Sequence, residues 1–426
     1  MSPRRHTEIS TVQGNTPNQV RRFRLGPRPL QHPVFRRVLG VSVAAQMVRF
    51  VDFTIAAWLV VQQTDSSSAV GLLVFFRFLP FLLFGPFVGA LLDRYPRIKV
   101  FRRTQLGISL ASLCFATAIF SGHTSLAVIF SYTTIAGLLM MIEIPSRRAY
   151  MSGIVGPAAL GSALALDMAS LNIAWFFGSN IGGLIAKFID PAWAYVMIGV
   201  VMFLNFLSLH RLPIMFRSDT FTTAETPFRS IVEGYWFSRR NPVIFAGLMV
   251  VGANNFFGYP FESMAPAFAD EIYGAGPTEF GLLMSAQALG SLVTAGFIAL
   301  RGRRLQNPGL LLISAALLQG FGNIGFSFTE SIGVGFLVIA SLGLVSMVFG
   351  ITHTMLILLV APTNFRGRVM GFQVLMMGLF PLGSLALGYA ADAIGLPEAV
   401  RFFAISGIVV LAIIWFKYPQ LRRPVT

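Results

Sequence analysis

Residues 68–92 read SAVGLLVFFRFLPFLLFGPFVGALL and end against Asp93-Arg94-Tyr95-Pro96-Arg97. The run holds a single charge, Arg77. At ~1.5 Å per residue it is long enough to cross a ~30 Å hydrocarbon core. Working outward, the pattern recurs. Apolar runs fall near 39–62, 68–92, 104–122, 124–144, 160–188 and 191–210, then near 243–266, 278–300, 308–328, 332–354, 369–392 and 397–418. The expectation is an all-α membrane protein with twelve transmembrane helices in two six-helix halves. Across the 426 residues 55% are apolar and 12% are charged, with a mean hydropathy of +0.72. That is too little charge to cover a soluble surface.

The organisation follows from where polar residues gather. Residues 1–33 are polar and read as a disordered cytoplasmic tail able to touch lipid. Residues 34–212 form the first half, 213–241 a cytoplasmic linker, 242–418 the second half, and 419–426 a cytoplasmic tail. Within the linker Phe228, Ile231, Val232, Tyr235 and Trp236 recur at helical spacing among Arg229, Glu233 and Arg239, after Pro227. This predicts an amphipathic helix lying on the inner membrane surface.

The net charge of +15 admits either nucleic acid or a membrane surface as partner. Distribution decides. With the N-terminus inside, the inner segments hold 28 of the 32 Lys and Arg, and the outer ones hold Lys187 and Arg401. The positive-inside rule then puts both termini in the cytoplasm, and no nucleic acid is needed to explain the charge. The halves also repeat. Val155-Gly156-Pro157, Gly178-Ser179 and Gly183 return as Val360-Ala361-Pro362, Gly383-Ser384 and Gly388 at an offset of 205. Gly71-Leu72-Leu73 returns as Gly281-Leu282-Leu283 at an offset of 210. Duplicated parallel halves are a transporter architecture.

An ionisable residue at mid-membrane costs at least ~2.5–3.5 kcal/mol, so each is a functional candidate. Counting depth from the run ends, Asp52 and Arg77 reach the same level and can meet, with Arg49 one turn below Asp52. These three are candidates for proton coupling or a cavity, the alternative being a structural ion pair. Asp167 is expected to make a helix-end or loop contact near the inner surface. Glu262 is expected near the outer surface, solvated, and His353 at the inner interface. Asn172, Asn254, Asn255 and Gln287 are candidates for the substrate cavity or for interhelical hydrogen bonds. Methionine pairs at 140–141 and 376–377 could line an adaptable pocket or face lipid.

At Gly89-Ala-Leu-Leu-Asp93-Arg94-Tyr-Pro96-Arg97 the chain resembles the major facilitator superfamily. Pro96 stands where that signature has a second glycine. The resemblance runs from Phe35 through the last helix and is closest to the drug and siderophore exporter branch, which includes enterobactin and macrolide efflux proteins. Glu233-Gly234, Met264 through Gly274, and Arg366 through Met370 carry it. Gly178, Gly182 and Gly183 match the antiporter motif, with Ser179 in place of its proline, and also suit close helix packing. The resemblance implies a gate in which Asp93 faces the start of helix 11 near Arg368, while Arg97 pairs with Glu143. Gly89 and Arg94 belong to the same motif.

Enzymatic chemistry lacks its parts. There is no phosphate-binding Gly-rich loop ending in Lys-Ser or Lys-Thr, no nucleophile elbow, and no metal-ligand spacing among the five histidines and Cys114. No cofactor is expected. The expectation is a monomeric, proton-coupled exporter of an amphiphilic small molecule in the inner membrane. An importer or facilitator of a small metabolite, and a lipid-handling or sensor protein on the same fold, are the alternatives.

Overall fold

A computed structural model describes residues 29–64, 66–214, 227–301 and 307–423. The expected tail up to residue 28 lies outside them. Twelve helices are long and apolar enough to cross a membrane. In the first half they are spans 1 to 6: Pro33–Thr64, Ser67–Gly85, Arg97–Phe120, Leu126–Val155, Ala159–Phe188 and Pro191–His210. Spans 7 to 12 are Pro242–Ile272, Pro277–Ile298, Pro308–Phe326, Ile332–Val360, Phe365–Ile394 and Leu396–Lys417. An even number of crossings puts both chain ends on one side, here the terminal end; the other is the far end.

Helices are what such a sequence must form. Lipid offers no partner to a free backbone N–H or C=O, so each must be satisfied within its own segment. The starts are marked by local chemistry. Asn241 caps span 7, its Oδ1 accepting from the N–H groups of Val243 and Ile244 at 3.2 Å, with Pro242 in the first turn. Asp190 does the same for span 6, before Pro191.

Spans 4 and 5 have no loop between them, and helical hydrogen bonding runs from Leu126 to Phe188. The chain nevertheless doubles back. On a straight helix Arg147 and Asp167 would stand ~30 Å apart, yet they form an ion pair. Span 7 is irregular. It is α-helical to Ala253, widens to a π turn at Asn254–Gly258, tightens to 3₁₀ turns at Tyr259–Met264, and widens again at Phe268–Ile272. Pro260 and Pro266 each remove an N–H from the ladder, which must reset around them.

The halves meet at the far end. One hydrophobic core there runs from Ile55, Trp58 and Tyr195 of the first half to Phe261, Phe280 and Phe403 of the second. Trp58 stacks on Phe280 with centroids 6.2 Å apart. Four glycines make the seam. Gly71 of span 2 lies against the Ser384 carbonyl of span 11, and Gly388 of span 11 against the Ser67 carbonyl. Gly183 of span 5 lies against the Pro277 carbonyl, and Gly281 of span 8 against that of Ser179. Any side chain at these positions would strike backbone. Ser66 Oγ and the Ser68 N–H also donate to Asp392 across this seam, at 2.9 and 3.2 Å.

The terminal end is different. There each half has its own cores, with Phe35, Phe101 and Met151 in one and Ile244, Ile357 and Val369 in another. At Gly85, Gly161, Gly296 and Gly367, on the interface spans 2, 5, 8 and 11, no described neighbour comes within 4 Å of where a side chain would begin. Among the described residues, packing between the halves gathers at the far end, and these four positions at the terminal end stand open.

The linker forms a helix, Pro227–Arg240. It docks on the start of span 11 as well as presenting an outer face. Gly234 lies against the Arg368 carbonyl, and Phe237 stacks on Phe365 at 4.3 Å. Glu233 pairs with Arg368 at 3.0 Å, while Val232 and Trp236 remain exposed. Cys114, exposed on span 3, is the chain's one cysteine.

Candidate functional site

Asp52 lies 12 residues from the far end of span 1 and Arg77 lies 10 from that of span 2. At ~1.5 Å per residue both sit ~15–18 Å deep, near mid-membrane. They meet: Arg77 Nη1 donates to Asp52 Oδ2 at 2.8 Å, and the Tyr132 hydroxyl of span 4 donates to Oδ1 at 2.9 Å. Both charged side chains are buried. Arg77 also lies over the Phe53 ring, 5.3 Å from its centroid. A hollow of about 30 Å³ is bounded by Arg49, Asp52, Arg77, Gln105, Tyr132 and Glu143. That is room for about one water molecule.

Below this pair a larger ionic cluster joins spans 1, 4 and 5. Arg49 donates to Glu143 at 2.5 Å, and Arg147 donates to the same carboxylate at 2.9 Å. Arg147 also binds Ser42 and Asp167, and Arg148 donates to Asp167 at 3.0 Å. Gln46 and Ser170 complete it, with Gln46 Nε2 donating to the Ser42 and Ser170 hydroxyls at 2.9 and 3.1 Å.

Three expectations are corrected here. Glu143 does not pair with Arg97; Arg49 and Arg147 hold it, and Arg97 donates to the Ala149 carbonyl at 3.1 Å. Asp167 makes no loop contact but is buried between two arginines. Span 4 continues to Val155, so Glu143 lies inside its helix rather than at its end. Gly89 and Asp93 lie outside the residues whose side chains are described, and so does the expected contact of Asp93 with span 11. Arg94 is exposed.

The second half holds a polar chain with one acid and no base. Gln287 Nε2 of span 8 donates to Glu262 Oε1 at 2.5 Å and lies 3.5 Å from the Ser346 hydroxyl of span 10. Ser346 donates to Gln319 of span 9 at 3.1 Å, Gln319 to Asn323 at 3.2 Å, and Asn323 to the Gly258 carbonyl at 2.7 Å. Glu262 is therefore not solvated at the outer surface. Span 7 runs on to Ile272, which leaves Glu262 ten residues below the far end, as deep as Gln287 on span 8. His353 is likewise not interfacial, since span 10 runs to Val360 and Gln373 holds its Nδ1 at 2.5 Å.

Among the other candidates, Asn172 and Asn255 donate to carbonyls of their own helices, at 3.0 and 2.9 Å. Asn254 is buried with its Nδ2 unpaired among the described residues. Gly178 stands against the Met47 carbonyl and Phe50, Gly182 against Val51 and Thr54, and Gly183 at the seam. Met140 and Met141 are buried, Met377 is exposed, and Met376 lines an apolar hollow of about 440 Å³. That hollow lies among spans 7, 11 and 12, with Met249, Phe256 and Phe257 in its wall and Lys417 at its terminal side.

Comparison with known proteins fits this architecture. A family model described as transmembrane secretion effector matches residues 26–423. The staphyloferrin A transporter of Staphylococcus aureus is 24% identical over 370 residues, covering 86% of this chain and 91% of the relative. An enterobactin exporter of Shigella boydii is 26% identical over 359 residues, covering 80% of each. A bacterial homologue of the lysosomal transporter Spinster, solved inward-facing and unoccupied, superposes with a TM-score of 0.69 at 13% identity, covering 92% of this chain and 98% of that one. A nucleoside transporter, NupG, gives 0.70 at 13% identity, covering 91% and 99%.

Proposed function

Because the chain belongs to the transmembrane secretion effector family of the major facilitator superfamily, we propose that it exports an amphiphilic small molecule of the siderophore or antibiotic class in exchange for protons. Small-molecule transport is common to the relatives; the direction, the coupling ion and the substrate class are inferred. The bias of Lys and Arg toward the terminal end supports cytoplasmic termini. The opening then faces the cytoplasm, where an exporter loads. The apolar hollow bounded by spans 7, 11 and 12 has room for part of an amphiphile.

The observation that carries the reading is the Asp52–Arg77 pair at mid-depth. While Arg77 and Tyr132 hold the carboxylate, Asp52 has no need of a proton. If the seam opens and spans 1 and 2 shift, Asp52 loses Arg77, and a lone charge there is costly. It then takes a proton from water on the outer side. Return to the present arrangement restores Arg77 and sends the proton to cytoplasmic water. Each cycle moves a solute out and a proton in by alternating access.

Inverted membrane vesicles with an imposed pH gradient test this. Enterobactin, staphyloferrin A and a macrolide would serve as labelled probes. At least one should accumulate only while the gradient lasts. Asp52→Asn should abolish accumulation yet keep exchange of the same probe, which needs no net proton movement. Gradient-independent accumulation, or wild-type accumulation in Asp52→Asn, would overturn the coupling.

A further inference from the structure

The offset of 210 that relates Gly71 to Gly281 also carries Asp52 onto Glu262 and Arg77 onto Gln287. The two pairs share a geometry. In each half the acid is on the first span and its partner on the second, joined at 2.8 Å in one and 2.5 Å in the other. The packing behind them repeats too. Gly137 of span 4 lies against the Arg77 carbonyl, and Gly343 of span 10 against the Gln287 carbonyl. What differs is the partner: a cation in the first half, a neutral amide in the second.

We infer that Glu262, held by Gln287, is a second proton-binding site, a carboxyl that takes up and releases a proton within the second half. A guanidinium stays charged and can only donate, so it fixes its partner as a carboxylate. An amide is not so limited. Its NH₂ donates to a carboxylate, and after a flip its carbonyl accepts from a carboxylic O–H. The pair can therefore remain hydrogen-bonded in either protonation state. Releasing the proton breaks the carboxyl O–H bond and passes the proton to water when the cycle admits it; Glu262 is partly exposed in the present arrangement.

The surroundings supply no competing charge. Among the described residues no Lys, Arg or His forms an ion pair with Glu262. On its own span the titratable neighbours are Tyr259 and, at the far end, Asp270 and Glu271. Span 8 carries Glu279 at its first turn, and span 10 carries His353, held by Gln373. Span 9 has none. Spans 1 and 2 carry Arg49, Asp52 and Arg77, each already paired, and Arg36 and Arg37 at the terminal end of span 1. On span 11 Tyr389 and Asp392 lie toward the far end, Asp392 at the seam, Arg366 and Arg368 at the terminal end. Span 12 carries Glu398, Arg401 and Lys417 near its ends.

The inference deepens the proton-coupled reading and rests on it only for the proton's use in transport. Infrared difference spectroscopy of the full chain in phospholipid nanodiscs, titrated from mildly acidic to mildly alkaline pH, reads the protonated carboxyl directly. The wild type should show a carboxylic C=O band that fades as pH rises. Glu262→Gln should lose it, and Asp52→Asn should keep it. Gln287→Arg should also lose it, because a guanidinium would hold Glu262 ionised; this variant retains the acid should Glu262→Gln misfold. A band unchanged in Glu262→Gln, persisting in Gln287→Arg, or lost only in Asp52→Asn would overturn the assignment. Failure to export with the band intact would sink the exporter reading alone. Export without the band would sink this one alone.

Discussion

The two halves share a fold but bury opposite kinds of polar interior. The first holds Arg49, Arg77, Arg147 and Arg148 against Asp52, Glu143 and Asp167. The second threads one carboxyl through amides and a hydroxyl, from Glu262 by way of Gln287, Ser346 and Gln319 to Asn323. A cluster of opposed full charges is rigid, since moving one member leaves another uncompensated in a low-dielectric interior. A chain of amides can exchange donors for acceptors at little cost. The contrast teaches that one architecture can pair a stiff half with an adjustable one by changing side chains alone.

The contrast can be tested first where the expected effect is largest. Arg147 is buried and binds two acids. Arg147→Ala breaks two buried ion pairs, leaving Glu143 to Arg49 and Asp167 to the partly exposed Arg148, and should cost ~3–5 kcal/mol, whereas Asn323→Ala in the second half should cost only ~1–3 kcal/mol. Thermal unfolding in detergent compares them, and equal losses would erase the distinction. Arg77→Gln gives the first half the second half's pair. Gradient-driven accumulation should fall about tenfold or more, the equivalent of ~1.4 kcal/mol, with partial recovery in Arg77→Lys. Unchanged accumulation would mean that the cation is dispensable.

The seam offers a smaller effect, and one that should be symmetric. Gly71→Val and Gly281→Val each drive a side chain into a carbonyl of the opposite half. Each should destabilise the closed far end by ~1–3 kcal/mol and raise the reactivity of cysteines placed there. A response from only one of the pair would show that the repeat is not functionally symmetric. The least effect is expected at the linker. Glu233→Gln weakens a half-exposed pair with Arg368 and should shift stability by less than ~1 kcal/mol. A larger loss of melting temperature would make the linker helix part of the core of the second half.

The sequence made the span count and the Asp52–Arg77 encounter legible, because both need only run length and depth along a helix. The ionic cluster around Glu143 and Asp167 was not legible. The apolar run of span 4 stops near residue 144 while the helix runs on to Val155, which puts Glu143 well inside it. The fold that brings Asp167 of span 5 back onto Arg147 leaves no mark in the sequence beyond Gly156-Pro157. Glu262 was misplaced for a related reason. Met264 through Ile272 contains a proline and two acids, yet it continues span 7 through irregular turns. One signal could have found it. The repeat that matches Gly71 with Gly281 already matched Asp52 with Glu262.

The glycine seam also makes the molecule lockable. Beside the glycines, the Ser66 and Asp392 side chains already meet at 2.9 Å, so cysteines replacing them would stand at close range across the two halves. The native Cys114 sits on span 3, which packs against spans 4 and 6 away from the seam. A crosslink at the far end would therefore form without competition. It would hold the protein shut on that side under oxidation and release it on reduction, giving a chemical handle on which way the molecule faces.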